Sequence, residues 1–134
     1  MSAALGRHLD VVHMKARSLL ESFRFAAAGI WHALLTQKNM RIHLCLGVLT
    51  LVAGALIGFE MLEMAILVLT VSAVMTAELI NTSIEAVVDL VTPSHNELAR
   101  IAKNVAAGAV LVCATGSILV GLFLFIPRIL RLLR

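Results

Sequence analysis

The chain has 134 residues, of which 60% are hydrophobic and 14% charged, with only two prolines. That is too apolar for an ordinary soluble domain and too short for several domains, so a single helical membrane domain over residues 1–134 is expected. The formal net charge is only +3, and basic residues clustered beside membrane segments usually set topology, which argues against a nucleic-acid partner.

The first residues, through Lys15 and Arg17, lack an apolar core followed by a small-residue cleavage site, so no signal peptide is expected. Residues 1–36 read as a cytoplasmic or interfacial helical region. Within it Phe23, Ala27, Ile30, Trp31 and Leu34 recur at helical spacing, while Arg24 and His32 lie off that stripe. This predicts an amphipathic helix in the membrane interface, with Trp31 as its anchor. The alternative is a helix packed on the rest of the domain. Three spans follow, at residues 42–59, 61–91 and 105–126, each long enough to cross a bilayer. The second is apolar first and amphipathic in its later half, and Pro127 is expected to end the third. The fold class is therefore all-α membrane protein, with three transmembrane helices and an N-terminal interfacial helix. Arg7, Lys15, Arg17, Arg24, Lys38 and Arg41 precede the first span, and Arg100 and Lys103 lie between the second and third. The turn between the first two has Glu60 and Glu63 and no Lys or Arg, which places the N-terminus and the second loop in the cytoplasm. Arg128, Arg131 and Arg134 fall on the opposite side and argue against this, but the larger basic group should prevail. Cys45 and Cys113 sit in apolar runs and read as small core residues.

The second span carries the chemistry. At 100° per residue, Glu78, Asn81, Glu85 and Asp89 fall within roughly an 80° arc of one helix face. Acids near a bilayer are costly and usually line a functional site or polar cavity. The apolar half before them, Met64 to Ala77, is about 21 Å long as a helix, so Glu78 should sit near the inner edge of the hydrocarbon. A partly desolvated glutamate suits a general base for a lipid hydroxyl. Glu85, two turns on, is closer to water, where a hydrated magnesium ion could bind with one or two carboxylates and phosphate oxygens. Asn81 lies between them and could orient either, and Lys103 could hold phosphate as a point charge. Acid, amide, acid and lysine point to phosphoryl transfer at a membrane surface. The competing readings are a packing contact, an ion-coupling residue of a small transporter, or a membrane assembly partner. A small multidrug transporter would place its essential glutamate in mid-span, away from cytoplasmic lysines. His43 and His95 have no second histidine at metal-pair spacing and read as interface or loop residues. Thr82 and Ser83 are expected to back-bond to the helix.

The run Glu78-Leu79-Ile80-Asn81-Thr82-Ser83-Ile84-Glu85-Ala86-Val87-Val88-Asp89 resembles the signature of the small prokaryotic integral-membrane diacylglycerol and undecaprenol kinases. Ala102-Lys103-Asn104-Val105-Ala106-Ala107-Gly108-Ala109-Val110-Leu111 resembles their second motif, and Asn39-Met40-Arg41-Ile42-His43-Leu44 the entry to their first span. The likeness covers about residues 18 to 127 and is closer to the undecaprenol kinases of Gram-positive bacteria than to the Gram-negative diacylglycerol kinases. It implies an enzyme of the inner membrane that uses ATP and Mg2+ to phosphorylate a lipid alcohol. It implies Glu78 as catalytic base, Asn81 as an active-site amide, Glu85 as metal and ATP carboxylate, and Lys103 as phosphate contact. Phe25 matches a nucleotide-contacting aromatic position, and Ser94, His95 and Asn96 lie in the loop that caps the nucleotide, where the match is weakest. It also implies a homotrimer with shared active sites. Small-residue spacings agree with close helix approach, namely Gly54 with Gly58 and Ala102 with Ala106 and Ala109, although packing within one chain would use the same pattern.

Two positions depart from the family pattern. Gln37 stands where a second metal-binding glutamate is usual, and Asn104 where an aspartate follows the motif lysine. Both amides keep an oxygen able to coordinate or accept, but two negative charges are lost, which should weaken magnesium binding. The expectation is an active enzyme with a higher magnesium requirement; the alternative is a catalytically impaired member.

Overall fold

The computed structural model describes residues 18–92 and 96–133. Their secondary structure is helical throughout: α1 (Leu19–Thr36), α2 (Lys38–Leu56), α3 (Met61–Val91) and α4 (Glu97–Leu132). The chain divides into two units, one ending at Trp31 and one beginning at His32. In the first, Ser18 caps α1, its Oγ accepting from the Glu21 N–H at 3.2 Å. Phe23, Phe25, Ile30 and Trp31 are exposed there.

Helices α2, α3 and α4 are each long and apolar enough to cross a membrane. The break before α2 is one residue wide. Gln37 is extended (φ −99°, ψ 117°), and its N–H still donates to the Ala33 carbonyl at 2.8 Å. The helix therefore starts at Lys38, four residues before the apolar run at Ile42. It stops at Leu56, because Gly58 takes a left-handed conformation (φ +77°) and Phe59 N–H closes back on the Gly54 carbonyl at 3.0 Å. Glu60 and Glu63 form a reciprocal capping box at the start of α3. Those two acids thus complete orphan N–H groups as well as lacking basic neighbours in the turn.

At 31 residues α3 is about 46 Å long, against a hydrocarbon core of about 30 Å, so a third of it outlasts a span. Asn96 caps α4, its Oδ1 accepting from Leu98 N–H at 2.9 Å and Ala99 N–H at 3.2 Å. Pro127 does not end α4, which continues to Leu132. One missing donor and a local bend can be absorbed where neighbouring groups satisfy the freed carbonyl.

Helix α3 packs against both α2 and α4. Helices α2 and α3 come close at Gly47, where an added Cβ would lie 2.6 Å from Val71 Cγ1. Among the described residues the buried apolar set is small: Ala33, Met40, Leu67, Val74, Ala106 and Val110. Most large apolar side chains on these helices face outward, as suits elements whose surroundings are hydrocarbon. Of the Gly54–Gly58 pair only Gly54 serves close helix approach, and it does so within the chain. Gly54 packs within the chain against Leu67, Phe59 and Met64, and Gly58 belongs to the turn. Ala106 is likewise buried within the chain. At this end of the bundle Arg128 Nε donates to the Ile57 carbonyl at 3.2 Å and the Phe59 and Phe125 rings pack at 4.8 Å. Arg128 therefore ties the end of α4 to the α2–α3 turn, a structural reason for a basic residue on the side that the charge bias disfavours.

Candidate active site

Glu78 is 1% exposed and Asn81 7%, and these are the buried polar side chains among the described residues. They share the wall of a pocket of about 300 Å³ with Asn39 and His43 from α2 and Ala107, Val110, Leu111 and Ala114 from α4. The local cause is helical spacing. Glu78 and Asn81 are three residues apart on α3, and Asn39 and His43 four apart on α2, so each pair presents one face.

The hydrogen bonds divide the stripe into a paired and an unpaired part. Asn81 Nδ2 donates to Glu85 Oε1 at 3.1 Å, one turn further on. Glu78 Oε2 and Asn81 Oδ1 are buried and have no partner. A buried acceptor left unmet costs on the order of 1–3 kcal/mol, so these two oxygens call for a donor from a water, a ligand or another chain. Thr82 Oγ1 and Ser83 Oγ donate to the Glu78 and Leu79 carbonyls at 2.9 Å each, which removes both hydroxyls from the chemistry. Asp89 Oδ1 lies 2.5 Å from Lys103 Nζ, joining the polar ends of α3 and α4.

The expected residues are thus brought together in part. Glu78 and Asn81 meet in the pocket, and Asn81 reaches Glu85. Lys103 is engaged by Asp89. Gln37 occupies the cap position of α2 without a side-chain cap bond, and Asn104 is exposed on α4. Asn96 has the definite role of helix cap. Phe25 is 44% exposed on α1 in the first unit. Ser94 and His95 lie outside the described residues.

Asn39 and His43 were not expected in the pocket. The sequence does carry a signal for them: Asn39, His43, Gly47 and Thr50 follow one another at four-, four- and three-residue spacing, a polar and small stripe on an otherwise apolar helix.

No group of three or more His, Cys, Asp or Glu side chains that could hold a metal occurs among the described residues. Glu85 with its amide neighbour is a sparse donor set. It fits magnesium, which is commonly held by one or two carboxylates, with phosphate oxygens and water completing the shell.

Residues 24–125 match the family model described as prokaryotic diacylglycerol kinase. The chain is 48% identical over 119 residues to a protein of Synechocystis sp. named diacylglycerol kinase, covering 88% of this chain and 68% of that one. It is 38% identical over 109 residues to a protein of Bacillus subtilis named undecaprenol kinase, covering 81% of this chain and 89% of that one. The higher identity is to the protein named for diacylglycerol.

Proposed function

Since the chain belongs to the prokaryotic diacylglycerol kinase family and is a membrane lipid kinase, we propose that it transfers the γ-phosphate of ATP, with Mg2+, to the hydroxyl of diacylglycerol or undecaprenol. Glu78 supports this most directly: its carboxylate is buried in a pocket on a spanning helix and keeps one oxygen unpartnered. A lipid hydroxyl is the donor that such an oxygen lacks. As the hydroxyl oxygen bonds to the γ-phosphorus, its proton passes to Glu78, the bond to the β-phosphate oxygen breaks, and ADP leaves. Asn81 holds Glu85 through its amide N–H and keeps its own carbonyl toward the pocket. Glu85 would hold the metal, with Gln37 as a neutral second ligand on the family pattern, and the metal would supply charge neutralisation on the phosphates.

Lys103 reaches the phosphates from its position beside Asp89, exchanging one anion for another. Phe25, Ser94, His95, Asn96 and Asn104 are assigned to the nucleotide side on the family pattern alone. Transfer is direct, without a phosphorylated enzyme; trapping such a species, on His43 above all, would overturn this. The active protein is a homotrimer in the bacterial inner membrane, with the N-terminus and site cytoplasmic by the charge bias and α1 lying in the interface.

The test is phosphate transfer from ATP by the purified protein in mixed micelles, with diacylglycerol and undecaprenol side by side and magnesium titrated. Transfer to either lipid that requires magnesium supports the proposal. No transfer to either at high magnesium, with the protein folded, means that Gln37 and Asn104 mark a lost activity and that a binding or assembly role takes over.

A further inference from the structure

The end of the bundle away from Glu78 and Lys103 carries positive charge that the fold does not use up. Arg128 and Arg131 lie three residues apart on α4, so they share one face. Arg128 is half-buried and oriented: its Nε donates to the Ile57 carbonyl at 3.2 Å, and a Cβ added at Gly58 would stand 3.2 Å from its Nη2. Arg131, one turn on, is exposed. Among the described residues neither arginine forms an ion pair. The acids at this end, Glu60 and Glu63, cap α3, each accepting from the other's backbone N–H.

Arg128 has a structural use in its bond to the α2–α3 turn. Arg131 has none, and it stands beside a like charge. Like charges at this spacing destabilise a helix, and an anion between them reverses the sign of the effect.

The surroundings decide which anion. The apolar run of α4 from Val105 to Ile126 is about 33 Å long, against a hydrocarbon core of about 30 Å. Arg128 and Arg131 fall about 3 Å and about 8 Å past the end of that run, at headgroup depth. Ile126, Ile129, Leu130, Leu132 and Leu133 around them are exposed, a surface that suits acyl chains and not open water. The anion that meets arginines at this depth is a lipid phosphate, and a guanidinium fork matches its oxygens bidentately. In a zwitterionic phospholipid the headgroup ammonium competes for the phosphate and repels the arginines. In phosphatidylglycerol no cation does.

We propose that Arg128 and Arg131 form a binding site for the headgroup phosphate of an anionic phospholipid, in the leaflet opposite the candidate active site. Through Arg128 the bound lipid joins the last turns of α4 to the α2–α3 turn. The site stands independently of the phosphate-transfer reading.

The experiment titrates the purified protein, in a neutral detergent, with phosphatidylglycerol and with phosphatidylcholine, and reads retention of the first lipid by native mass spectrometry. The wild type should bind phosphatidylglycerol about tenfold more tightly, the worth of one charge-assisted hydrogen bond. Arg131→Gln should remove most of that preference. Arg100→Gln, which neutralises an exposed arginine near the other end of α4, should leave it unchanged. Thermal unfolding in the same detergent is the second readout: phosphatidylglycerol should raise the midpoint of the wild type more than phosphatidylcholine does. A wild type that binds both lipids alike or is stabilised equally by both would overturn the proposal. So would an Arg131→Gln protein that keeps the full preference, or an Arg100→Gln protein that loses as much of it as Arg131→Gln.

Discussion

A methyl group added at Gly47 tests whether the α2–α3 contact holds the pocket together. In Gly47→Ala the new Cβ would stand 2.6 Å from Val71 Cγ1, 3.4 Å from Cγ2 and 3.6 Å from Cβ. Carbon atoms pack at about 3.5–4.0 Å, so roughly 1 Å must be yielded by Val71 or by the helices. A valine on a helix has one strongly preferred χ1, which leaves little room to turn aside. Overpacking of this kind costs about 1–3 kcal/mol, while alanine in place of glycine in a helix returns about 1 kcal/mol. The expected net loss is about 1 kcal/mol, read from reversible unfolding in mixed micelles. Gly54→Ala is the internal control. Its Cβ would meet Leu67 Cδ1 and Phe59 Cδ2 at 3.0 Å and Met64 Sδ at 3.3 Å, milder overlaps than the 2.6 Å at Gly47, so it should cost less than Gly47→Ala. Adding Val71→Ala to Gly47→Ala should recover about 1 kcal/mol as a coupling energy. His43 and Asn39 lie one and two turns before Gly47 on the same face, so separating the helices should also raise KM for the lipid. A Gly47→Ala protein as stable as the wild type, or one that Val71→Ala does not relieve, would refute the close contact.

Four further outcomes follow from the geometry and the charges. Asn96→Ala should lower stability by about 1 kcal/mol in the same unfolding assay and Asn96→Asp should not, because the cap needs only a side-chain oxygen. Gln37→Glu should lower the magnesium concentration for half-maximal transfer; an unchanged magnesium dependence would remove the charge argument. The Lys103–Asp89 pair is 36% and 65% exposed at its two side chains, so Asp89→Asn should change stability by less than about 1 kcal/mol. Lys103→Met, by contrast, should raise KM for ATP about tenfold if the ammonium meets phosphate, and an unaltered KM for ATP would make Lys103 a tie between α3 and α4 alone.

The stripe on α3 was legible because acids are costly on an apolar helix, so several at helical spacing point to a polar site. Glu78 and Asn81 are indeed the polar groups that the fold buries. The number of long apolar helices was legible too, since length and hydropathy decide it. Helix ends were not, because caps decide them: Asn96 starts α4 eight residues before its apolar run, and Gly58 stops α2 while the sequence remains apolar. Pro127 misled because a proline costs a helix one donor and a bend, which a long membrane helix survives. The part of α2 in the pocket was hidden by its dependence on packing. His43 and Asn39 are informative only once Gly47 is known to press α2 onto α3, and a lone histidine on an apolar helix is more often a packing residue than a site residue.

The central claim is that Glu78 takes the proton from the lipid hydroxyl. Its most direct test is a single-turnover measurement of phosphate transfer by Glu78→Gln, alongside binding of magnesium-ATP and of the lipid. The substitution keeps the shape and removes the base. The expected result is full binding of both substrates with transfer reduced by about a thousandfold, within the usual worth of a general base. Transfer at the wild-type rate, with binding intact, would contradict the assignment of this pocket as the place where the phosphate is accepted.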